Sequence, residues 1–174
     1  MPNLNNYLET KRQRMAELST RLQAPEAAPV PIAATVRVAG GSGIRPVQVR
    51  DFTFITDSGP AMAGHDLGPT APELLLSALA SCLAHTFLIV AARQEIPLES
   101  LEVEVRGEID FRGVLEVTPE APIPPQNLTY EARLRSSADD EMLQTLRSEV
   151  ERLCPVFRAL VQPMEVKGSV KVLS

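Results

Sequence analysis

The chain has 174 residues, two of them cysteine, and its 17 basic and 22 acidic side chains give a formal net charge of -5. A content of 44% apolar and 22% charged residues is typical of an ordinary globular protein, and the length predicts one main domain. The acidic balance argues against nucleic-acid binding, which needs a clustered basic face. Two cysteines are too few for a disulfide scaffold, and the N-terminal residues lack the apolar core of a signal peptide. We therefore expect a reduced, cytoplasmic setting.

The first residues predict a helix that an extended linker joins to the rest of the chain. Apolar side chains recur at helical spacing over residues 3–22 and form a single stripe. Pro25, Pro29 and Pro31 follow, and because proline lacks the amide hydrogen that a helix needs, the helix should end near residue 23. We therefore divide the chain into residues 1–34, a helix with a Pro/Ala-rich linker, and residues 35–174, the main domain. We expect the helix to pack on that domain, either of its own chain or of a partner subunit.

Alternating apolar and polar residues predict antiparallel strands, each with one buried side and one side facing solvent. The clearest alternation runs over residues 101–112, and residues 128–136 and 164–172 repeat it. Earlier in the chain, residues 34–40 and 44–60 are rich in β-branched and aromatic side chains, with several glycines between them that mark a turn. These two segments predict a strand hairpin.

Two predicted helices interrupt the strands. Residues 71–93 are apolar on nearly every side, with Pro72 suited to the first turn. That length would just span a bilayer, but strands with charged, solvent-facing sides follow it, so we predict a buried core helix. Residues 138–153 form the second helix, which is amphipathic. Its predicted inward residues are Met142, Leu146, Val150 and Leu153.

The two cysteines occupy different settings. Cys82 lies midway along the apolar helix, which begins near the carboxylate of Glu73. Cys154 precedes Pro155, a pattern that predicts the end of one helix and the start of a short second helix over residues 155–161. Because unpaired amides at a helix N-terminus stabilise a thiolate, Cys154 is a candidate reactive thiol. Burial of both cysteines as small core hydrophobes is the simpler interpretation and stays open.

The segment PTAPELLLSALASCLAHTF, the long alternating strand after it and the later segment ERLCPVFRAL resemble the OsmC/Ohr family of thiol-dependent proteins. The order of elements is similar: a strand hairpin, a helix with Glu and Cys, a long strand, and a Cys-Pro helix start. The resemblance covers residues 35–173 and leaves out the N-terminal helix. It implies an α+β, OsmC-like fold, with two curved antiparallel sheets around a central buried cysteine helix, in an intertwined homodimer.

The same resemblance implies a two-cysteine peroxidase that reduces organic hydroperoxides in oxidative stress defence. Cys82 would attack the peroxide and become a sulfenic acid, and Cys154 would resolve it as an intramolecular disulfide. A dithiol reductant, lipoyl-linked in the hydroperoxide-resistance branch, would reset the enzyme. No metal, haem or flavin cofactor is implied, and neither nucleic acid nor membrane is an expected partner.

In the family, an arginine and a glutamate hold the attacking thiolate. Because burial in an apolar helix raises the pKa of a thiol, a cation is needed beside Cys82. Arg50 on the early hairpin is the first candidate and Arg45 the substitute, with Glu73 holding the guanidinium through two hydrogen bonds. The spacing from Glu73 to Cys82 is one residue shorter than is common in the hydroperoxide-resistance branch. One residue rotates a helix by about 100°, so the direction of Glu73 is left open.

Two other functions remain open. The chain has two cysteines and two histidines, a complete Cys2His2 set, with Cys82 and His85 on one helical face, which would suit zinc. The other two residues lack paired spacing, and an apolar helix makes His85 a core or pocket histidine instead. The last possibility is a protein of the same fold that binds a small apolar electrophile without turning it over.

Overall fold

The computed structural model describes residues 4–172 and confirms the predicted α+β class. Its helices are α1 (Leu4–Leu22), α2 (Ala71–Gln94), α3 (Phe111–Val114), α4 (Asp140–Leu153) and α5 (Pro155–Val161), with a 3₁₀ turn at Pro60–Met62. Its strands are β1 (Thr35–Val36), β2 (Arg45–Val49), β3 (Phe52–Thr56), β4 (Ser100–Glu108) and β5 (Gln126–Arg135). They form two antiparallel sheets, one in the order β1-β2-β3 and one of β4 and β5. The predicted first residue of the N-terminal helix, residue 3, lies outside the described residues.

Helix α2 lies at the centre of the fold, and α1, β4, α4 and α5 pack around it. A capping box begins the helix: the Thr70 hydroxyl accepts the amide of Glu73, and the Glu73 carboxylate accepts the amide of Thr70 at 2.7 Å. By length and composition α2 could cross a membrane, but one side of it is buried within the protein, consistent with the predicted core helix. The buried side chains are Leu79, Leu83, Thr86, Phe87, Val90, Ala91 and Ala92.

Strands β4 and β5 form a two-stranded sheet that covers α2. Their register pairs Leu101 with Leu134, and the apolar side of the sheet packs against the core. On the other side, Arg133 bonds to Glu104 at 2.8 Å and to Glu131 at 2.5 Å. The alternation predicted from the sequence is therefore present, with one apolar face and one charged face.

The predicted strand over residues 101–112 is too long, because β4 ends at Glu108. The pairing shifts register between Arg106 and Glu108, and the Asp110 carboxylate then accepts the amide of Arg112 at 2.9 Å. This cap starts α3 and leaves Phe111, which the alternation over residues 101–112 places on the buried side, 47% exposed. Local capping by Asp110 thus outweighs the alternating pattern.

Helix α4 begins at Asp140, two residues later than predicted, because the Asp139 carboxylate accepts the amide of Met142 at 2.8 Å and caps the helix. Leu146 and Val150 are fully buried, as predicted. Met142 was predicted to point inward but is 40% exposed, since it lies in the first turn, beyond the buried stripe.

Helix α1 packs on α2 of its own chain. Leu8 is buried against the core, and the side-chain oxygen of Asn5 accepts the amide of Leu98 at 2.8 Å. Arg12 forms an ion pair with Glu95 at the end of α2. Residues 25–34, which contain the predicted proline linker, form neither helix nor strand.

The predicted pairing of residues 34–40 with 44–60 is present, but β1 is only two residues long, and a turn at Arg50 and Asp51 divides the second segment into β2 and β3. Strands β2 and β3 pair along their whole length, from Arg45 opposite Thr56 to Val49 opposite Phe52. Within residues 4–172 this sheet makes at most marginal contact with the helices and with the β4–β5 sheet. Phe52 and other apolar residues of β3 are consequently exposed.

The predicted strand over residues 164–172 is wrong for the single chain, where these residues form no regular structure. Met164, Val166, Val170 and Val172 are between 65% and 94% exposed. A strand is stable only beside another strand edge, and around Gly168 no heavy atom lies within 4 Å of an added Cβ. The alternating pattern therefore marks an apolar face that the described chain leaves uncovered.

In the loop between β3 and α2, we expect alanine substitutions at two glycines to differ strongly in their effect on the free energy of unfolding. A Cβ atom on Gly64 would lie 1.8 Å from the carbonyl oxygen of Ser58, whereas a Cβ atom on Gly59 would meet no heavy atom within 4 Å. We expect Gly64→Ala to lower the free energy of unfolding by about 2 kcal/mol or more, and Gly59→Ala to change it by less than about 0.5 kcal/mol. Urea unfolding measures both variants, and equal losses would contradict the described loop.

Candidate functional site

Cys82 lies halfway along α2, where the buried side of the helix meets its solvent-facing side. Its neighbour Leu83 is fully buried, whereas Ser81 and His85 are exposed. The thiol itself is half-buried and faces the junction between α4 and α5. This position combines access from solvent with an apolar surrounding.

Cys154 ends α4 and directly precedes α5, as predicted, and it is completely buried. Its thiol lies within hydrogen-bonding reach of the Cys82 thiol, and both cysteines are free. The two residues are 72 positions apart, so only the tertiary fold brings them together. The thiols are therefore already adjacent before any disulfide forms.

The N-terminus of α5 was predicted to stabilise the Cys154 thiolate, but its first free amide interacts with the sulfur of Cys82 instead. The Cys154 side chain makes no capping hydrogen bond. Because Pro155 has no amide hydrogen, the first free amide of α5 belongs to Val156, and that amide donates to the sulfur of Cys82. The Cys-Pro pattern identified the helix start, but it could not show which thiol the amide faces.

Burial raises the pKa of the Cys82 thiol above its ordinary value of 9.0, because an apolar surrounding disfavours the thiolate. The adjacent Cys154 raises this pKa further, whereas the Val156 amide and the Thr86 hydroxyl lower it. The sum is a thiol that stays protonated at neutral pH in the single chain. A nucleophilic Cys82 therefore needs an added positive charge.

Arg45 and Arg50, the two predicted sources of that charge, lie on the β2–β3 hairpin. Neither is among the groups that make the largest contributions to the pKa of Cys82 in the described chain. The Arg45 guanidinium donates to the Ser58 hydroxyl at 3.2 Å, and the Arg50 guanidinium lies 5.1 Å from the centre of the Phe52 ring. Across residues 4–172 neither arginine forms an ion pair, so both keep a charge that no carboxylate neutralises.

Glu73 bonds to Thr70, not to an arginine of the described chain. Its carboxylate accepts the Thr70 amide at 2.7 Å and the Thr70 hydroxyl at 2.8 Å. These hydrogen bonds lower the pKa of Glu73, the amide more than the hydroxyl. Nine residues of α-helix correspond to about 180° of rotation, so Glu73 and Cys82 point to opposite sides of α2. In the single chain Glu73 therefore serves to begin the helix.

Asp57, which the sequence analysis did not single out, organises the loop that leads into α2. Its side chain is fully buried, and its carboxylate accepts the amides of His65 at 2.8 Å and Leu67 at 3.3 Å. The nearby amide of Ser58 makes the largest contribution to lowering the pKa of Asp57. The sequence signal was an Asp-Ser-Gly-Pro turn, which does not distinguish a buried aspartate from an exposed one.

The alternative zinc site is not assembled in the described chain. Among residues 4–172 no three His, Cys, Asp or Glu side chains are grouped so that they could hold a metal ion. His65 lies exposed on the loop after β3, and His85 lies exposed on α2. Cys82 and Cys154 thus meet each other without a histidine partner for a metal.

The charge of Asp57 predicts a pH-dependent contribution to stability. Its pKa lies below the ordinary 3.8, so the carboxylate stabilises the fold above that value and the contribution is lost as the pH falls through the lowered one. We expect Asp57→Asn to lower the free energy of unfolding near neutral pH, with the difference from the parent chain shrinking on acidification. Asp51→Asn in the exposed hairpin turn is the control. A loss that is the same at every pH would contradict the role of the charge.

Comparison with known proteins assigns the chain to a family. The family described as OsmC-like protein matches residues 64–168. Among solved structures, an OsmC-like protein from Mycoplasma pneumoniae aligns with a TM-score of 0.65 and 16% identity, over 76% of this chain and 89% of that one. The organic hydroperoxide resistance protein OhrB of Bacillus subtilis aligns with a TM-score of 0.55 and 21% identity, over 77% and 93%.

A third similar structure is a putative organic hydroperoxide resistance protein from Vibrio cholerae with captopril bound in one of its active sites. It aligns with a TM-score of 0.56 and 18% identity, over 79% of this chain and 89% of that one. No curated protein sequence matches the chain significantly. At these identities the three structures establish the fold alone, whereas the family match spans more than half of the sequence. The chain therefore belongs to the OsmC-like protein family.

Proposed function

We propose that this protein is a thiol-dependent peroxidase that reduces organic hydroperoxides in oxidative stress defence. Membership of the OsmC-like family supports a redox role, and similar structures include organic hydroperoxide resistance proteins. The observation that carries the proposal is the contact between two free thiols, Cys82 and Cys154, from distant parts of the chain. Packing alone needs only small apolar side chains at these positions, whereas a peroxidase cycle needs two sulfur atoms in contact.

The proposed cycle has three steps. The Cys82 thiolate attacks the hydroperoxide; an S–O bond forms, the O–O bond breaks, and the alkoxide takes a proton to leave as an alcohol. The Cys154 thiol then attacks the oxidised sulfur, so that the S–S bond forms and water leaves. A small dithiol reductant, which could be lipoyl-linked, finally exchanges with this disulfide and is itself oxidised. No metal or organic cofactor takes part, and a reducing cytoplasm would supply the dithiol.

The proposed thiolate needs a cation, because burial keeps Cys82 protonated in the single chain. An opposite charge within about 4–6 Å lowers a pKa by roughly one to three units. Arg50, with Arg45 as the substitute, is the proposed cation, since both carry unneutralised charge on a hairpin that makes at most marginal contact with the helices and with the β4–β5 sheet of the described chain. Glu73 lies on the opposite side of α2 from Cys82 and bonds to Thr70, so the proposal places the arginine beside Cys82 without Glu73 of the same helix as its partner.

A homodimer is the proposed assembly that completes the site. The C-terminal residues Met164, Val166 and Val170 are largely exposed in the described chain, and in a strand they would share one apolar face. The side of α2 next to Cys82 also leaves Ala78 and Ser81 exposed on an otherwise apolar helix. Exposed apolar strand faces of this kind promote association, and a second copy of the chain would cover both surfaces.

Binding of an apolar electrophile without turnover is the second candidate function. The raised pKa of Cys82 favours it, because a protonated thiol can line a pocket but reacts slowly with peroxide. This alternative predicts stable occupancy of the site and no consumption of hydroperoxide. It becomes the better account if no arginine approaches Cys82 in the dimer.

The roles of the two cysteines predict different defects. Cys82→Ser should abolish hydroperoxide consumption, because the attacking sulfur is lost. Cys154→Ser should allow one reaction with peroxide and then stop, because the sulfenic acid has no resolving partner. Ser148→Ala, on the exposed side of α4, is the control and should behave like the parent. Hydroperoxide loss over a single turnover is measured for all three without an external thiol, because dithiothreitol would itself reduce the sulfenic acid of the Cys154 variant; multiple turnovers are then followed with dithiothreitol. Continued turnover by the Cys82 variant would exclude the mechanism.

A matched pair of variants distinguishes which of the two hairpin arginines activates Cys82. Arg50→Ala should raise the pKa of Cys82 and slow peroxide reduction by more than about tenfold, since one pKa unit corresponds to a tenfold change. Arg45→Ala should have little effect. The pH dependence of Cys82 alkylation and the rate of peroxide reduction give the two readouts. The opposite order would assign the role to Arg45, and parent-like values for both variants would favour the binding function.

The proposed dimer predicts that one face of residues 164–172 is more sensitive to charge than the other. Val170→Lys places a charge on the apolar face and should shift the protein toward monomer, whereas Ser169→Lys on the opposite face should not. Sedimentation velocity at micromolar concentration measures the distribution for both variants. A parent chain that sediments as a monodisperse monomer would contradict the proposed assembly.

A further inference from the structure

Tyr130 makes two contacts that the proposed cycle does not use. It lies half-buried on β5, and its hydroxyl donates to a carboxylate oxygen of Glu151 at 2.6 Å. Its ring meets the ring of Phe157 edge to face, with 6.4 Å between the ring centres and 84° between the planes. This separation is within the range in which aromatic pairs attract each other.

These contacts fall on both sides of Cys154. Glu151 lies in the last turn of α4, and Phe157 lies in the first turn of α5. Cys154 connects the two helices: its own amide donates to the carbonyl oxygen of Val150 at 2.9 Å. Tyr130 therefore reaches from the sheet to the residues that flank the resolving thiol.

The Tyr130–Glu151 hydrogen bond is of the stronger kind. A hydrogen bond to a carboxylate is shorter and worth more than one between neutral groups, and this one is partly shielded from water. Burial, together with the Glu151 carboxylate, raises the pKa of Tyr130, so the hydroxyl remains a donor throughout the physiological range. The Arg147 guanidinium lies 4.0 Å from the Glu151 carboxylate on the same side of α4.

We propose that Tyr130 and Glu151 are positioning residues that hold Cys154 against Cys82, so that disulfide formation outpaces overoxidation. The inference rests on the proposed peroxidase cycle. After the first step the Cys82 sulfenic acid has two fates. Attack by the Cys154 thiol forms the S–S bond and releases water. A second hydroperoxide instead transfers an oxygen atom to the sulfur, which becomes a sulfinic acid while the hydroperoxide becomes an alcohol.

The ratio of disulfide formation to overoxidation depends on the position of the Cys154 sulfur atom. Cys154 is fully buried and its thiol already lies within reach of Cys82, so resolution needs little movement. Loss of the Tyr130 hydroxyl would free the last turn of α4 from the sheet while leaving the aromatic contact with Phe157 in place. The junction would then sample arrangements in which Cys154 points away, and resolution would slow without any change at Cys82 itself.

Four variants test this inference. Tyr130→Phe removes one oxygen atom and keeps the ring, and Glu151→Gln keeps an acceptor but removes its charge. The double variant closes a thermodynamic cycle on the hydrogen bond. Tyr7→Phe is the control, because Tyr7 is the second tyrosine of the chain and lies 47% exposed on α1.

The readout is the ratio of Cys82–Cys154 disulfide to Cys82 sulfinic acid, measured by intact mass over a range of organic hydroperoxide concentrations. We expect Tyr130→Phe to overoxidise at roughly tenfold lower hydroperoxide than the parent, as for loss of one hydrogen bond to a charged group. Glu151→Gln should shift the ratio in the same direction, the double variant should be no worse than Tyr130→Phe, and Tyr7→Phe should match the parent. The rate of the first step should be the same in all of them.

The outcomes separate the inference from the function on which it rests. If the parent forms the disulfide and both single variants keep the parent ratio, the positioning role is excluded and the peroxidase cycle stands. If the shift in the single variants is additive in the double variant, the hydrogen bond is not the cause, and the inference also fails. If the parent forms no disulfide with hydroperoxide, the proposed function and this inference fall together. If Tyr130→Phe is poorly folded, the ratio of disulfide to sulfinic acid in Glu151→Gln alone decides whether the positioning role holds.

Discussion

The burial of α2 is the constraint on which the rest of this structure depends. The helix is apolar on almost every side, so each other element either covers part of it or leaves part of it for another surface. The β4–β5 sheet, α4 and α5 cover the side that carries Leu83 and Val90. Helix α1, which lies outside the family match, covers the C-terminal part of the same helix. The uncovered remainder is the physical reason for proposing a second copy.

The same burial creates the chemical problem of the site. An apolar surrounding keeps the Cys82 thiol protonated, whereas attack on a peroxide needs the thiolate. The single chain supplies partial compensation through the Val156 amide and the Thr86 hydroxyl. In the proposed cycle full activation requires a cation, and the unneutralised arginines lie on a hairpin that makes at most marginal contact with the helices and with the β4–β5 sheet of the described chain. Packing and reactivity thus point to the same requirement, the docking of that hairpin against a cysteine helix.

Periodicity predicted the parts of the fold that local physics determines. The central helix, the charged and apolar faces of β4–β5 and the Cys-Pro junction are present where the sequence places them. The predicted end of β4 was wrong, because the Asp110 side chain caps a new helix. The predicted C-terminal strand does not form, because the described chain offers no strand beside which it could pair. The target of the Val156 amide and the burial of Asp57 were not predictable, because both depend on tertiary contacts. The direction of Glu73, which was left open, follows from local signals: the Thr70–Glu73 capping box and the nine helical residues to Cys82.

The most direct test of the account is the addition of one equivalent of an organic hydroperoxide to the reduced native protein, followed by thiol counting and peptide mapping. The account predicts that both thiols of each chain disappear together and that the peptides containing Cys82 and Cys154 become linked by a disulfide, which dithiothreitol reverses. If both thiols persist while the hydroperoxide remains unconsumed, the adjacent sulfur atoms are a feature of packing alone, and the peroxidase account is contradicted.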